Sequence, residues 1–180
     1  MTSFEKIEVS DVTESPKHLE IERKWLLDFS KLPMSLDSYP SKRLVAGYYL
    51  GEGNEKVRLR QEGDKYFKVT KGPRTNEGMV RDIGEGDIEI TKEEFESLWP
   101  KTEGRRLSKT RFLIPVSGLT AELDVYDDFK NAGFYTVEVE FSSIDEGKKF
   151  IAPDWFGREV TNENGYSSRD LASRGLPISF

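Results

Sequence analysis

Hydrophobic and polar residues alternate with a period of two through most of the chain, which is the pattern of β-strands with one buried face. Short turn sequences such as Gly51-Glu52-Gly53-Asn54 and Asn131-Ala132-Gly133 separate the alternating runs and favour antiparallel connections. The pattern predicts eight strands, at residues 18–27, 42–51, 56–62, 66–71, 79–91, 107–115, 120–127 and 135–142.

Three further segments have the pattern of helices. Residues 92–99 follow Thr91 and residues 144–150 follow Ser143, and both hydroxyl residues are favoured N-caps. The third helix, at residues 166–174, ends at Gly175. These helices and their neighbouring segments supply the apolar side chains expected to cover the sheet, namely Phe95, Leu98, Trp99, Phe150, Trp155, Phe156 and Leu171. The predicted fold class is therefore α+β, mainly antiparallel β.

Composition excludes several classes of function. The chain has 180 residues, of which 33% are charged, and no apolar run approaches the roughly 18 residues of a membrane span. It contains no cysteine and one histidine, which excludes disulfides and thiolate zinc sites. The net charge of -6 argues against general nucleic-acid binding. Residues 1–17 show no periodicity and no secretory signal, so we expect a flexible leader, one ordered domain at residues 18–180 and a cytoplasmic location.

The polar faces of the predicted strands carry charges of mostly one sign at positions i and i+2. Acidic faces are Glu20 with Glu22, Asp87 with Glu89, Glu122 with Asp124, and Glu138 with Glu140, and basic faces are Arg58 with Arg60 and Lys109 with Arg111. A solvated face is the simpler interpretation for any one strand, but an idle face normally mixes signs, and like charges this close repel. Acidic clusters bind divalent cations and basic clusters bind phosphate, so the pattern favours a metal–polyphosphate site.

Eight antiparallel strands can close into a narrow barrel. We therefore predict an eight-stranded closed β-barrel in which the charged faces line a tunnel and the helices pack on the outside. In such a barrel the strand bearing Glu138 and Glu140 lies beside the strand bearing Glu20 and Glu22.

Six ordered motifs carry a resemblance to a known family. The opening Glu20-Ile21-Glu22-Arg23-Lys24 is similar to the E-x-E-x-K motif of the CYTH, or triphosphate tunnel metalloenzyme, superfamily. The remaining strand motifs also resemble that family in order, at Arg58-Leu59-Arg60, Lys71-Gly72, Lys109-Thr110-Arg111-Phe112, Glu122-Leu123-Asp124-Val125 and Val137-Glu138-Val139-Glu140-Phe141. The resemblance spans residues 18 to about 172 and implies a CYTH domain, a tunnel fold and a divalent-metal enzyme acting on a triphosphate. Val69 and the glycine-interrupted run at residues 85–89 depart from the family pattern.

Each charged residue type suggests a role. The predicted metal ligands, for Mg²⁺ or Mn²⁺, are Glu20, Glu22, Glu138 and Glu140, with Asp87 and Glu89 as weaker candidates. The predicted phosphate clamp comprises Lys24, Arg58, Arg60, Lys71, Lys109 and Arg111, whose alternative role is internal ion pairing with the acids. Glu122 and Asp124 bind a second ion or orient the attacking water, and with Lys24 and Arg60 they form the predicted catalytic set. Arg81 is an outer candidate only, and Lys68 is expected to point outward.

The predicted reaction is attack of a metal-oriented water on the terminal phosphoryl group of inorganic tripolyphosphate. The alternatives that the sequence leaves open are a class IV-type adenylate cyclase, a thiamine triphosphatase and a non-catalytic polyphosphate- or nucleotide-binding module. The predicted partner is a triphosphate-containing small molecule, with no membrane and no general nucleic-acid partner, and the oligomeric state stays open.

Overall fold

The computed structural model describes residues 18–32 and 35–178. The strands are β1 (Leu19–Leu27), β2 (Ser41–Leu50), β3 (Lys56–Glu62), β4 (Lys65–Lys71), β5 (Arg74–Thr75), β6 (Val80–Asp82), β7 (Ile88–Ile90), β8 (Arg106–Val116), β9 (Leu119–Tyr126), β10 (Tyr135–Glu140) and β11 (Phe156–Glu159). The α-helices are α1 (Lys92–Leu98), α2 (Ile144–Lys149) and α3 (Ser168–Arg174). The structure therefore confirms an α+β fold that is mainly antiparallel β. The predicted leader at residues 1–17 lies outside the described residues.

The described strands form one antiparallel sheet in the order β5-β6-β1-β10-β9-β8-β2-β3-β4-β7, with β11 paired to β1. The pairing of β1 with β10 sets Glu22 opposite Glu140 and Lys24 opposite Glu138, as the sequence predicts for the strands that bear these motifs. Because side chains alternate across a strand, this register places both acidic motifs on one face of the sheet.

The predicted closed eight-stranded barrel is wrong, because the sheet is an open path that ends at β5 and β7. The predicted strand at residues 79–91 is broken by Gly84 and Gly86, which have φ values of 57° and 84°. Glycine adopts this left-handed backbone readily, so the chain turns there. The first half, β6, then pairs with β1 and the second half, β7, pairs with β4, so no continuous ladder joins the two sides of the sheet. A backbone hydrogen bond from Gly72 N to Asp82 O, at 2.8 Å, links them locally.

The outer face of the sheet carries two apolar clusters. One packs Phe95 of α1 on Val57 and Leu59 of β3. The other surrounds Trp25 of β1 with Phe156 and Phe150, which follow or flank α2. The capping residues predicted for these helices are confirmed, because Thr91 and Ser143 accept hydrogen bonds from the backbone N–H groups of Glu94 and Glu146. The outer face is thereby covered as expected for α1 and α2.

Helix α3 lies on the other, concave face, so the prediction that the helices pack on the outside is wrong for α3. Leu171 packs with Leu107, Tyr126 and Phe134. Leu107 lies two residues before Lys109 and Tyr126 two residues after Asp124, so their side chains share the face of these charged residues. At this end of the sheet the inward positions are apolar rather than charged, and they need a cover of their own. The helix therefore closes one end of the charged face. Among the described helices, none has the length and apolar character needed to cross a bilayer.

Candidate active site

Charged side chains from seven strands of the sheet converge on its concave face around a cavity of about 110 Å³, here called the inner cavity. Its charged lining residues are Glu20, Glu22, Lys24, Arg58, Arg60, Lys71, Arg74, Arg81, Asp87, Lys109, Arg111, Glu138, Glu140 and Arg169. The structure thus brings together most of the residues predicted for the site. The exceptions are Glu122 and Asp124, which lie just behind Arg111, and Glu89.

Three carboxylates form an acidic cluster at one side of the inner cavity. Oxygen atoms of Glu20, Glu22 and Glu140 all lie within 4.8 Å of one another. Glu20 and Glu22 come from alternate positions of β1, and Glu140 lies opposite Glu22 on β10. Oxygen donors at this spacing are the ligand set that hard divalent cations prefer. Glu138, also predicted as a ligand, lies outside this cluster because Lys24 and Arg111 hold it at 2.7 Å each.

One carboxyl group of the acidic cluster, Glu140, has no cationic partner among the described residues. Burial, together with the charges of Glu122, Glu22 and Glu20, raises the pKa of Glu140 to about 7. Glu140 forms no ion pair with any residue in the described part of the chain, whereas Glu20 and Glu22 each have a cationic partner. Three acidic neighbours and the absence of a cationic partner favour the protonated form of a carboxyl group.

Two basic residues contact the acidic cluster. Lys71 Nζ donates to both carboxylate oxygens of Glu20 at 2.7 Å, and Arg74 forms an ion pair with Glu22. Burial raises the pKa of Glu20, but the charge of Lys71 and its hydrogen bonds outweigh burial and lower the pKa below its ordinary value. Burial and the nearby charge of Arg58 lower the pKa of Lys71 to about 8.

Arg111 is the centre of the largest ion-pair network. It donates to both oxygens of Asp124, at 2.7 and 2.8 Å, to Glu138 at 2.7 Å and to Glu122. Asp124 is fully buried and also forms an ion pair with Lys109. The pKa of Arg111 is raised well above its ordinary value, because the charges of these acids outweigh the effect of burial. The network fixes the guanidinium in one orientation toward the cavity.

Arg58 and Arg60 of β3 share one carboxylate, Asp87, at 2.9 and 2.8 Å. The Nε–H groups of both arginines are buried and form no hydrogen bond with a described residue, and the same holds for Arg81. Unsatisfied guanidinium donors are costly unless an acceptor is supplied. Glu89 does not reach the cavity, since its side chain is exposed and lies 3.4 Å from Lys65 at the rim.

The predicted clamp residues are thus all ion-paired in this structure. Lys24 pairs with Glu138, Lys71 with Glu20 and Lys109 with Asp124, and the three arginines pair with Asp87 or the Asp124 network. This matches the alternative role considered for them, and it is compatible with phosphate binding because a polyanion can replace the carboxylates. Lys68 lies on the outer face, 3.6 Å from Glu94, as its parity predicts.

The sequence did not predict Arg74 as a site residue, and it predicted Arg81 only as an outer candidate. Both lie on short strands, β5 and β6, which are too brief to produce a period-two signal. The signal that could have found Arg74 is its position three residues after Lys71, beyond the turn-forming Gly72-Pro73. Tyr48 and Ser168 also line the cavity, and the buried Tyr48 ring is set beside Arg58.

An antiparallel sheet with a concave face of clustered acids and arginines is the class of fold that the CYTH motifs predict. No protein-family model matches the chain. The chain is 40% identical over 161 residues to an inorganic triphosphatase of Nitrosomonas europaea, covering 85% of this chain and 96% of the relative. It is 32% identical over 156 residues to an inorganic triphosphatase of Acetivibrio thermocellus, covering 84% of this chain and 92% of the relative.

A crystal structure of an inorganic triphosphatase matches with a TM-score of 0.60 and 37% identity, over 88% of this chain and 100% of that chain. The chain therefore belongs to the inorganic triphosphatase family of the CYTH, or triphosphate tunnel metalloenzyme, superfamily, and the resemblance drawn from its motifs is confirmed.

Proposed function

We propose that the protein is a divalent-metal-dependent hydrolase that cleaves inorganic triphosphate to pyrophosphate and orthophosphate in the inner cavity. The observation that carries the proposal is that three carboxylates within 4.8 Å of one another face buried arginine Nε–H groups without acceptors across one cavity. The names of the relatives, both inorganic triphosphatases, support the same substrate.

Glu20, Glu22 and Glu140 fit a divalent cation and would hold it. Their donors are all carboxylate oxygens, and the raised pKa of Glu140 reflects negative charge that a cation would neutralise. Mg²⁺ and Mn²⁺ are both compatible with this donor set. When bound, the cation would supply positive charge to the phosphate oxygens and orient the attacking water. Glu138 is assigned to the clamp rather than to the metal, since Lys24 and Arg111 already engage it.

The basic residues bind and orient the phosphate chain. Arg58, Arg60 and Arg81 each have a buried Nε–H that forms no hydrogen bond with a described residue, and that of Arg60 lies 3.8 Å from Glu62, so each has a donor for phosphate oxygens. Lys71 and Arg74 are ion-paired with Glu20 and Glu22, and they would bind phosphate oxygens when those carboxylates hold the cation. Asp124 positions Lys109 and Arg111, because both of its oxygens are engaged by them.

Glu122 is better placed than Asp124 to take the proton of the attacking water. Only one of its oxygens bonds to Arg111, and burial raises its pKa above the ordinary value, which makes it a stronger base. The water oxygen forms a bond to the terminal phosphorus while the bridging P–O bond breaks, and pyrophosphate leaves with the electron pair of that bond. Lys24 and Arg60 stabilise the charge on the transferred oxygens.

The test is product analysis with purified protein supplied with Mg²⁺ or Mn²⁺ and, separately, inorganic triphosphate, thiamine triphosphate or ATP. We expect orthophosphate and pyrophosphate in equal amounts from inorganic triphosphate, and no turnover in EDTA. Cyclic AMP from ATP at a higher rate would indicate the cyclase, and binding without turnover would indicate the non-catalytic module. The cytoplasmic location stays a prediction from the sequence.

A further inference from the structure

A second cavity, larger than the inner one and continuous with it, opens beside α3. This outer vestibule has a volume of about 440 Å³. Lys24, Arg58, Lys71 and Arg81 line both cavities, so the two form one path. Lys56, Arg174 and the loop at residues 160–164 line the vestibule alone.

The lining of the vestibule is strongly basic. Among the described residues, its acidic lining residues are Glu163, which forms an ion pair with Arg158, and Asp170, which accepts a hydrogen bond from Ser167 and lies 4.0 Å from Arg174. Lys56, Arg81 and Arg169 form no ion pair with any residue that the structure describes. The other cations that the vestibule shares with the inner cavity, Lys24, Arg58, Lys71 and Arg74, are ion-paired, so these three are the ones without a counter-charge among the described residues.

The strand register makes this arrangement costly in the free protein. Lys56 lies directly opposite Lys71 on β3 and β4, and Arg74 lies directly opposite Arg81 on β5 and β6. Like charges directly opposite on one face destabilise a sheet. In each pair one member has an acidic partner, Glu20 or Glu22, and the other, Lys56 or Arg81, has none. The buried Nε of Arg81 also has no acceptor. An anion in the vestibule would relieve both pairs.

We propose that the outer vestibule is a second anion subsite, which binds the phosphate units of a linear inorganic polyphosphate beyond the third. The proposal rests on the proposed function, since a chain whose end lies at the acidic cluster must continue along the path into the vestibule. Lys56, which lines only the vestibule of the two, binds the additional unit together with Arg169, and Arg169 and Arg81 line both cavities and bridge them. Affinity therefore rises from triphosphate to tetraphosphate.

An inorganic chain fits the vestibule better than a nucleoside. The polar side chains that line the vestibule but not the inner cavity include Lys56, Asn162, Asn164 and Arg174. Its aromatic and valine residues, Tyr48, Tyr166, Val57 and Val160, are all buried. A base would need an exposed aromatic or apolar face to stack on. Phosphate oxygens can be bound by the cationic side chains alone.

The experiment is titration calorimetry of the full chain in EDTA with inorganic triphosphate and with linear inorganic tetraphosphate. Without metal there is no turnover, so failure of this inference can be separated from failure of the proposed hydrolysis. We expect tetraphosphate to bind about tenfold more tightly than triphosphate, because two further charge-assisted contacts form. In Lys56→Gln/Arg169→Gln the advantage should fall to about threefold or less.

A matched control removes two positive charges from the outer face. Lys68→Gln/Lys92→Gln changes the net charge equally, and it should retain the tenfold advantage of tetraphosphate. Equal binding of the two chains by the unmodified protein, or an unchanged advantage in the vestibule variant, would overturn the subsite. ATP binding more tightly than tetraphosphate would also overturn it, since the vestibule would then select a nucleoside. Lys56→Gln alone should keep the metal-dependent hydrolysis of triphosphate.

Discussion

Glu20 and Lys71 form an ion pair at 2.7 Å although their strands, β1 and β4, share no ladder. The pair therefore joins the two sides of the open sheet through side chains, beside the local backbone hydrogen bond from Gly72 N to Asp82 O. The pair also creates a competition, because a cation bound by Glu20 would neutralise that carboxylate. The ammonium group of Lys71 would then lose its partner and could bind phosphate. Binding of metal and of triphosphate should consequently favour each other.

The first prediction concerns the acidic cluster. Glu20→Gln and Glu22→Gln keep the size of the side chain but each remove one anionic ligand from the proposed metal site. We expect kcat/KM for triphosphate to fall by about tenfold or more and the half-saturating Mg²⁺ concentration to rise. Steady-state assays over a metal series measure both quantities, and circular dichroism checks that the fold persists.

Glu89→Gln is the matched control, because this side chain carries the same charge but lies at the rim beside Lys65. Its metal dependence should equal that of the unmodified protein. If Glu89→Gln weakens metal binding as much as Glu22→Gln does, the weaker sequence candidate is a ligand and the cluster is assigned too narrowly.

A second prediction follows from the pKa of Glu140, raised from 4.5 to about 7. Between these two pH values the folded protein holds a proton that the unfolded chain has released, so this contribution to stability declines as pH rises through that range. In EDTA, Glu140→Gln should therefore gain stability relative to the unmodified protein between about pH 5 and about pH 8. Urea unfolding at both pH values measures the difference, and a difference that does not change with pH would contradict the pKa.

The alternating pattern predicted most of the strands because each has a buried outer face such as Trp25 or Leu59 beside charged inner positions. It failed at residues 79–91, where the charges continue but Gly84 and Gly86 reverse the chain. It also missed β11, since Phe156–Glu159 contributes only one buried side chain. Barrel closure could not be predicted from the sequence, because it depends on which strand each short strand pairs with.

The site was more predictable than the closure of the sheet, because the charges of one strand share a face in any register that keeps the outer face buried. Glu140 and Glu20 were expected together and lie in one cluster. The sequence could not separate Glu138 from the proposed metal ligands, since only the fold brings Lys24 and Arg111 to it. Roles set by contacts between distant strands have no local signal.

The third prediction concerns ligand-induced stability. Triphosphate with Mg²⁺ should raise Tm, because it binds the folded site and neutralises the repulsion in both the acidic cluster and the basic clamp. Orthophosphate with Mg²⁺ at the same concentration should raise Tm less, since one phosphate cannot span Arg58, Arg60 and Lys71 together. Equal shifts in a melting series would mean that the clamp does not act as an extended site.

The fourth prediction concerns α3, which covers the apolar end of the concave face. Leu171 is 2% exposed and packs with Leu107, Tyr126 and Phe134. Leu171→Ala should lower the free energy of unfolding by about 2–5 kcal/mol, because it leaves a cavity against these side chains. Urea titration measures the loss, with the exposed Ser173→Ala on the same helix as control. A loss no larger than that of the control would place α3 away from the sheet.

The last prediction tests how the enzyme recognises its substrate. Arg60 has a buried Nε–H without an acceptor and shares Asp87 with Arg58, so its guanidinium is held in place with a donor to spare. Arg60→Ala should lower kcat/KM for triphosphate by about tenfold or more, equivalent to about 1.4 kcal/mol or more of transition-state stabilisation. Arg60→Lys should restore charge but not the planar fork, and so recover only part of the loss.

Arg43→Ala, which breaks an exposed ion pair with Asp127, is the control and should leave kcat/KM unchanged. Because this recognition uses phosphate oxygens alone, the unmodified protein should prefer inorganic triphosphate to ATP in kcat/KM. A preference for ATP that Arg60→Ala leaves intact would mean that binding energy comes from the nucleoside instead.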